Sequence, residues 1–207
     1  MSPRGVAIPD LRERLFTAAE RVVAREGTSA LTSRAVTTEA GVAKGALHAH
    51  FAGLDEFVGE LILDRYARTA RQAAELPSLV GRDTVAGNLL TVALALMTSV
   101  DPAVVALAMT RPAASLHTRQ GLEAGAPGFS AIQDAVTAYL DAERRLGRLP
   151  AAADTATTAL ALVGTVHHLL MTHTMTRTPG GPEPREITER LVTLLVGAPP
   201  PHDAPAP

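Results

Sequence analysis

Few residues in this chain have the types and spacing for chemistry. His167, His168 and His173 lie close together, and a metal ion is what such a trio would suggest. Their offsets of 1, 5 and 6 do not supply the i, i+4 pair that puts two imidazoles on one helical face, and no paired carboxylate lies nearby. There is no cysteine, which excludes thiolate metal sites, iron–sulfur ligation, disulfide scaffolds and cysteine nucleophiles. No Gly-x-Ser-x-Gly elbow, phosphate loop or His-Glu-x-x-His occurs, and no nucleophile has a recognisable base. The chain therefore reads as a non-enzyme without metal or cofactor, and its chemistry as binding. Lys44, the single lysine among 19 basic residues, is the most pointed binding candidate, because it falls in the first turn of a short predicted helix.

The elements that must position it are helical throughout. Alanine and leucine dominate the apolar share, and no alternating β-branched run occurs in the 207 residues. Asp10 and Glu13 form an Asp-x-x-Glu cap, after which Leu11, Leu15, Ala18 and Val22 mark one face of a helix ending near Glu26, before Gly27. Thr32 caps a second helix, Ser33 to Ala40. Gly41 supplies a positive φ, and a third short helix follows, about Ala43 to His50. Phe57, Leu61, Ile62, Tyr66 and Ala70 keep helical spacing in a long helix from Asp55 to about Glu75. Asp83 caps a helix reaching Val100, and Asp101-Pro102 opens another to about Thr110. Arg111 to Gly128 reads as irregular, followed by helices over Ser130–Leu146, Asp154–Thr176 and Arg185–Val196. The end, Gly197 to Pro207, holds five prolines and is expected to be a disordered tail.

Two short helices joined by a tight glycine turn, after a first helix, make a helix-turn-helix pattern. Val36, Ala40, Val42, Leu47 and Phe51 are the positions such a unit must bury. Residues 1 to 51 carry seven basic and five acidic side chains, a net +2, and the remainder −4 of the total −2. This mild asymmetry is compatible with one end facing DNA and does not establish it. No signal peptide is visible before Asp10. The charge-free stretch Thr155 to Thr176 has ten Thr or His residues and reads as a buried helix. No membrane partner is expected, and the address is cytoplasmic.

The run from Leu31 to Phe51, LTSRAVTTEAGVAKGALHAHF, with the following Asp55-Glu56-Phe57, resembles the TetR/AcrR family of bacterial transcriptional regulators. The motif covers roughly residues 10 to 60, and the rest matches only in length and helix order. The resemblance implies an all-α fold of about nine helices. Residues 1–53 would form a helix-turn-helix DNA-binding domain and 54–196 a helical ligand-binding and dimerisation domain, with 197–207 as the tail. It implies that Thr32 meets a phosphate while also serving as a plain N-cap, and that Ser33 and Arg34 lie at the groove. Arg34 has a solvated surface charge as its alternative. Lys44, with Gly45 and Ala46, would meet phosphates or base edges, and His48 and His50 the backbone; packing against Phe51 is the alternative for His50.

The family usually has Ser at position 43, Thr or Ser at 46, Tyr at 48 and Lys at 54, where this chain has Ala43, Ala46, His48 and Leu54. Loss of the position-43 cap should cost about 0.5–2 kcal/mol of local helix stability. Leu94, Met97, Met109, His117, Phe129, Ile132, His167 and Met171 are the candidate lining of an effector pocket. Core packing is the alternative for the Met and Phe residues, and a hydrogen-bonded core position for His167. The helix with Ala161, Gly164, His168, Thr172 and Met175 on one face, and the last helix, should pair with their copies in a homodimer. The implied function is a ligand-responsive dimeric repressor. It would bind a near-palindromic operator in double-stranded DNA and be released by a small apolar or amphipathic effector. The alternative is the same fold without sequence-specific DNA binding, serving as a ligand-binding or interaction module.

Overall fold

The structure, a computed structural model, describes residues 10–99, 104, 106–107, 110–173 and 183–197. Among them are eight α-helices and no strand: α1 Leu11–Glu26, α2 Ser33–Glu39, α3 Leu54–Ala73, α4 Val85–Met97, α5 Pro112–Glu123, α6 Phe129–Arg145, α7 Thr155–His173 and α8 Pro184–Val196. None of the described helices is long and apolar enough to cross a membrane. The chain forms two compact units, Met1–Leu63 with Asp101–Ala124, and Asp64–Val100 with Gly125–Pro207.

In the first unit, Leu15, Phe16, Ala19, Val22 and Val23 of α1 are buried with Val36, Leu47, Phe51, Phe57 and Leu61. Ala40 and Val42, also expected inside, are half-buried. Three of the six aromatic side chains in this Trp-free chain lie here. Phe16 and Phe57 lie 5.4 Å apart, and Phe51 meets Phe57 edge to face at 5.0 Å. The Arg12 guanidinium lies 5.1 Å over Phe16 and 5.3 Å over Phe51 and pairs with Glu60, which also meets His117 Nε2 at 2.8 Å. Asp10 does not cap α1. It sits at φ 58°, its side chain bonds no helix amide, and Glu13 instead accepts from the Thr17 hydroxyl.

The segment expected to be irregular, Arg111 to Gly128, contains α5. Pro112 stands in the first turn, where its missing N–H costs nothing. Gly121 is a packing residue, not a breaker, since a Cβ there would come within 2.5 Å of Leu63 Cδ1. Gly59 is likewise required by close approach, with His117 Cδ2 2.7 Å from the position of a Cβ.

The second unit is a helical core of small and branched side chains. Leu89, Val92 and Leu96 of α4 pack with Ile132, Val136, Tyr139 and Leu140 of α6 and Ala159, Leu162, Val163 and Val166 of α7. Thr84, not Asp83, caps α4: its oxygen accepts from the Gly87 amide at 3.0 Å, while Asp83 turns away at φ 45°. A polar knot crosses this core. Glu143 is fully buried and accepts from Arg148 at 3.0 and 3.1 Å and from the Gly81 amide at 3.1 Å. Asn88 donates to the Tyr139 hydroxyl at 2.9 Å, and burial pushes that phenol up to about 12. At the start of α7 the Asp154 carboxylate accepts from the Thr157 amide and hydroxyl, which holds it below the usual range. α7 buries Leu162, Val166 and Leu170 on one side and leaves Leu160, Gly164 and His168 exposed on the other. Expectations resting on Asp101-Pro102, Met109, Met175 and Ala198 to Pro207 lie outside the described residues.

Candidate nucleic-acid interface and effector cluster

The turn is built as the glycine requires. α2 begins with Thr32 Oγ1 accepting from the Ala35 amide at 3.0 Å. It ends with Gly41 at φ 63°, the Gly41 amide bonded to Thr38 O at 3.1 Å and the Val42 amide to Thr37 O at 3.0 Å. That pair of bonds around a left-handed glycine is a Schellman closure, and it reverses the chain tightly. Arg14 of α1 adds a bond to the otherwise orphaned Ala40 carbonyl at 2.8 Å, and Arg25 pairs with Glu39 at 3.0 Å. Two α1 arginines therefore brace the end of α2.

Beyond the turn the expected third helix, Ala43 to His50, is not continuous. Its amide bonds alternate between three-residue spans, Ala46 to Ala43 O and His50 to Leu47 O, and four-residue spans, Ala49 to Gly45 O and Phe51 to Leu47 O. No two successive amides bridge four residues, so no full α-turn repeats. Sequence supplies the reason: Ala43 has no oxygen to cap the first turn, and Gly45 is the poorest helix former after proline. Leu47 and Phe51 are nonetheless buried, which anchors the segment one helical turn apart.

Thr32, Arg34, Lys44, Gly45, His48 and His50 are exposed, and Ser33 and Ala46 half-buried. Arg34 and Lys44 have no carboxylate partner among the described residues, in contrast to Arg12, Arg25 and Arg111, each tied to an acid. The surface around the turn thus presents two uncompensated cations, two imidazoles and a hydroxyl, a donor set suited to phosphate oxygens.

The effector candidates fall in both units. His117 is in the first, its ring on Glu60. In the second, the Phe129 ring lies between those of Tyr66, at 4.6 Å, and His167, at 4.2 Å, tilted by 56° and 54° to them. Tyr66 was not among the expected lining residues, although its aromatic type in a chain with so few aromatics was the available signal. Burial, then the neighbouring His168, lowers His167, and burial pushes Tyr66 up to about 12. Both are therefore uncharged at neutral pH, and the cluster is aromatic and neutral. Ile132 is buried one turn from Phe129, Leu94 and Met171 are half-buried, and Met97 Sδ accepts from the Thr188 hydroxyl at 3.1 Å. A separate groove of about 450 Å³ in this unit is lined by Leu140, Leu149, Pro150 and Leu195 among others, and by none of the expected residues.

Among the described residues, a short helix, a left-handed glycine turn and a partly wound segment carrying Lys44 follow one another in the order of a helix-turn-helix unit in an all-α protein. Residues 15–61 match the family "Bacterial regulatory proteins, tetR family". A TetR-family regulator from Mesorhizobium loti superposes with a TM-score of 0.63 at 16% identity, covering 92% of this chain and 97% of its own. The fatty acid degradation regulator FadR from Bacillus halodurans superposes at 0.62 and 15% identity, covering 94% and 97%. The multidrug binding protein EbrR, in complex with malachite green, does so at 0.52 and 26% identity, covering 91% and 99%. No curated protein sequence matches the chain. Residues 15–61 thus resemble the TetR family in sequence, and the fold is that of TetR-family transcriptional regulators.

Proposed function

We propose that this protein is a ligand-responsive dimeric regulator, acting as a repressor on a near-palindromic operator. The observation that carries the reading is the braced Schellman turn at Gly41, which presents Lys44 and Arg34 exposed and unpaired beside Thr32. Residues 1–53 are assigned to DNA and residues 54–196 to effector and dimer. Lys44, Gly45 and Ala46 would meet phosphates or base edges, with Thr32, Ser33, Arg34, His48 and His50 around them.

The neutral cluster of Tyr66, Phe129 and His167, with Leu94, Met97, Ile132 and Met171, supports an apolar or aromatic effector. EbrR, which holds malachite green, is an aromatic-ligand precedent at 26% identity. Leu160, 56% exposed on α7, and Leu194, 81% exposed on α8, support a dimer through these helices, and a side chain added at Gly164 would meet open space. DNA would favour reading heads about 34–36 Å apart and effector a wider spacing, coupled reciprocally by about 1–3 kcal/mol.

Fluorescence anisotropy on the DNA upstream of its own gene, against a scrambled duplex at several salt concentrations, tests this. A preference of about 10³ or more is expected. The incomplete winding of residues 43–50 favours the second reading, an interaction or ligand-binding module without sequence-specific DNA binding. Absence of preference here and in a random-sequence selection would select it.

A further inference from the structure

We infer that the segment Ala43–His50 completes its helix only on the operator, so that DNA recognition is coupled to a local winding step. The inference rests on the DNA-binding reading above. The segment is already half-built: the buried Leu47 and Phe51 fix its C-terminal turn through a 3.0 Å bond between the Phe51 amide and Leu47 O. What is missing lies mainly on the N-terminal side, where the amides of Leu47 and His48 make no four-residue bond to Ala43 or Lys44 among the described residues; further on, the His50 amide bonds Leu47 O and not Ala46 O. The surface around Gly45 is open among the described residues. A Cβ at Gly45 would meet no atom within 4 Å, Gly45 is not in the left-handed region, and the segment is exposed apart from Leu47 and the half-buried Ala46.

Stability is what is lacking, since fixing the first turn is the costly part of helix formation and no side chain at position 43 rewards it. A phosphate oxygen would reward it. The orphan amides of a helix start and the ammonium of Lys44 would both face such an anion, so contact supplies the cap that Ala43 cannot. A scrambled duplex offers phosphates without base edges to hold the wound helix in the groove. The winding therefore adds to the operator preference, while the ordering cost weakens absolute affinity.

Hydrogen exchange of the full-length protein, read at the amide of the exposed His48 and not at that of the buried Leu47, with operator and with scrambled duplex, reports the step. Expected is fast exchange in the free protein, and slowing by at least about 10-fold on operator only. Ala43→Ser, which restores an oxygen able to accept from the Ala46 amide, should slow exchange in the free protein and tighten operator binding by the dimer, with its two copies, about 5- to 900-fold. Ala43→Val, without an acceptor, should do neither. A protected His48 amide in the free protein, or operator binding by the wild type with no gain from Ala43→Ser, would overturn the inference alone. If neither wild type nor Ala43→Ser binds any duplex from a random-sequence selection, the DNA-binding reading itself fails.

Discussion

Lys44→Ala isolates the electrostatic part of the proposed interface. Lys44 is exposed and without an acidic partner among the described residues, so its truncation orphans no carboxylate there, and thermal unfolding should be unchanged within about 0.5 kcal/mol. A two-fold dimer carries two copies. With a slope contribution of about 0.9 per phosphate contact, the variant's plot of log K against log salt should be shallower by about 1.8. Between about 50 and 200 mM salt, a 0.6 change in log concentration, the gap between wild type and variant should therefore close by about 10-fold. A phosphate contact is blind to sequence, so operator and scrambled duplex should lose affinity alike. Anisotropy titrations of both duplexes at four salt concentrations give all these numbers. Parallel salt plots for the two proteins would refute the assignment. A loss confined to the operator would instead make Lys44 a reader of base edges.

Three further expectations concern the frame. Arg148→Ala leaves the fully buried Glu143 carboxylate without its cation and should cost about 3–5 kcal/mol in urea unfolding, much of it recovered by adding Glu143→Gln; a loss under 1 kcal/mol would show that the knot is not load-sharing. Burial alone would raise Glu60, but the bonds from His117 and Arg12 outweigh it and hold the group below its usual 4.5. A depressed carboxylate contributes stability above its unfolded value and loses it as pH falls through the folded one, so stability should decline below about pH 4.5, with Glu60→Gln flattening that limb in a pH series of denaturant melts. Leu160→Glu and Leu194→Glu should each weaken the dimer by at least about 100-fold in light scattering, with helical content unchanged by circular dichroism; two intact dimers would move the interface elsewhere.

Much of this protein could be read locally. Helices declare themselves through spacing and punctuation, so Leu11–Glu26 before Gly27, the Thr32 cap and the left-handed Gly41 were legible because each depends on residues within a turn of one another. Local chemistry failed where two options were equally cheap. Asp10 and Asp83 looked like caps, yet Asp10 bonds no helix amide and Thr84 took the second role. Glycine misled at 121, which lies inside α5 beside the Leu63 methyls and does not break the helix, so α5 was taken for a loop. The weakness of the reading segment was half visible, in Ala43 and Gly45. Its outcome required knowing that tertiary burial of Leu47 and Phe51 anchors one end without capping the other.

The sequence by itself determined the all-helical class and the turn, and with them the placing of Lys44 beyond it, since periodicity and capping act over a few residues. Only the tertiary structure decided that Glu60 joins Arg12 to His117, that the rings of Tyr66, Phe129 and His167 meet, and that Glu143 is buried on Arg148. Those partners lie far apart in sequence or on different elements, and packing that no local pattern encodes brings them together.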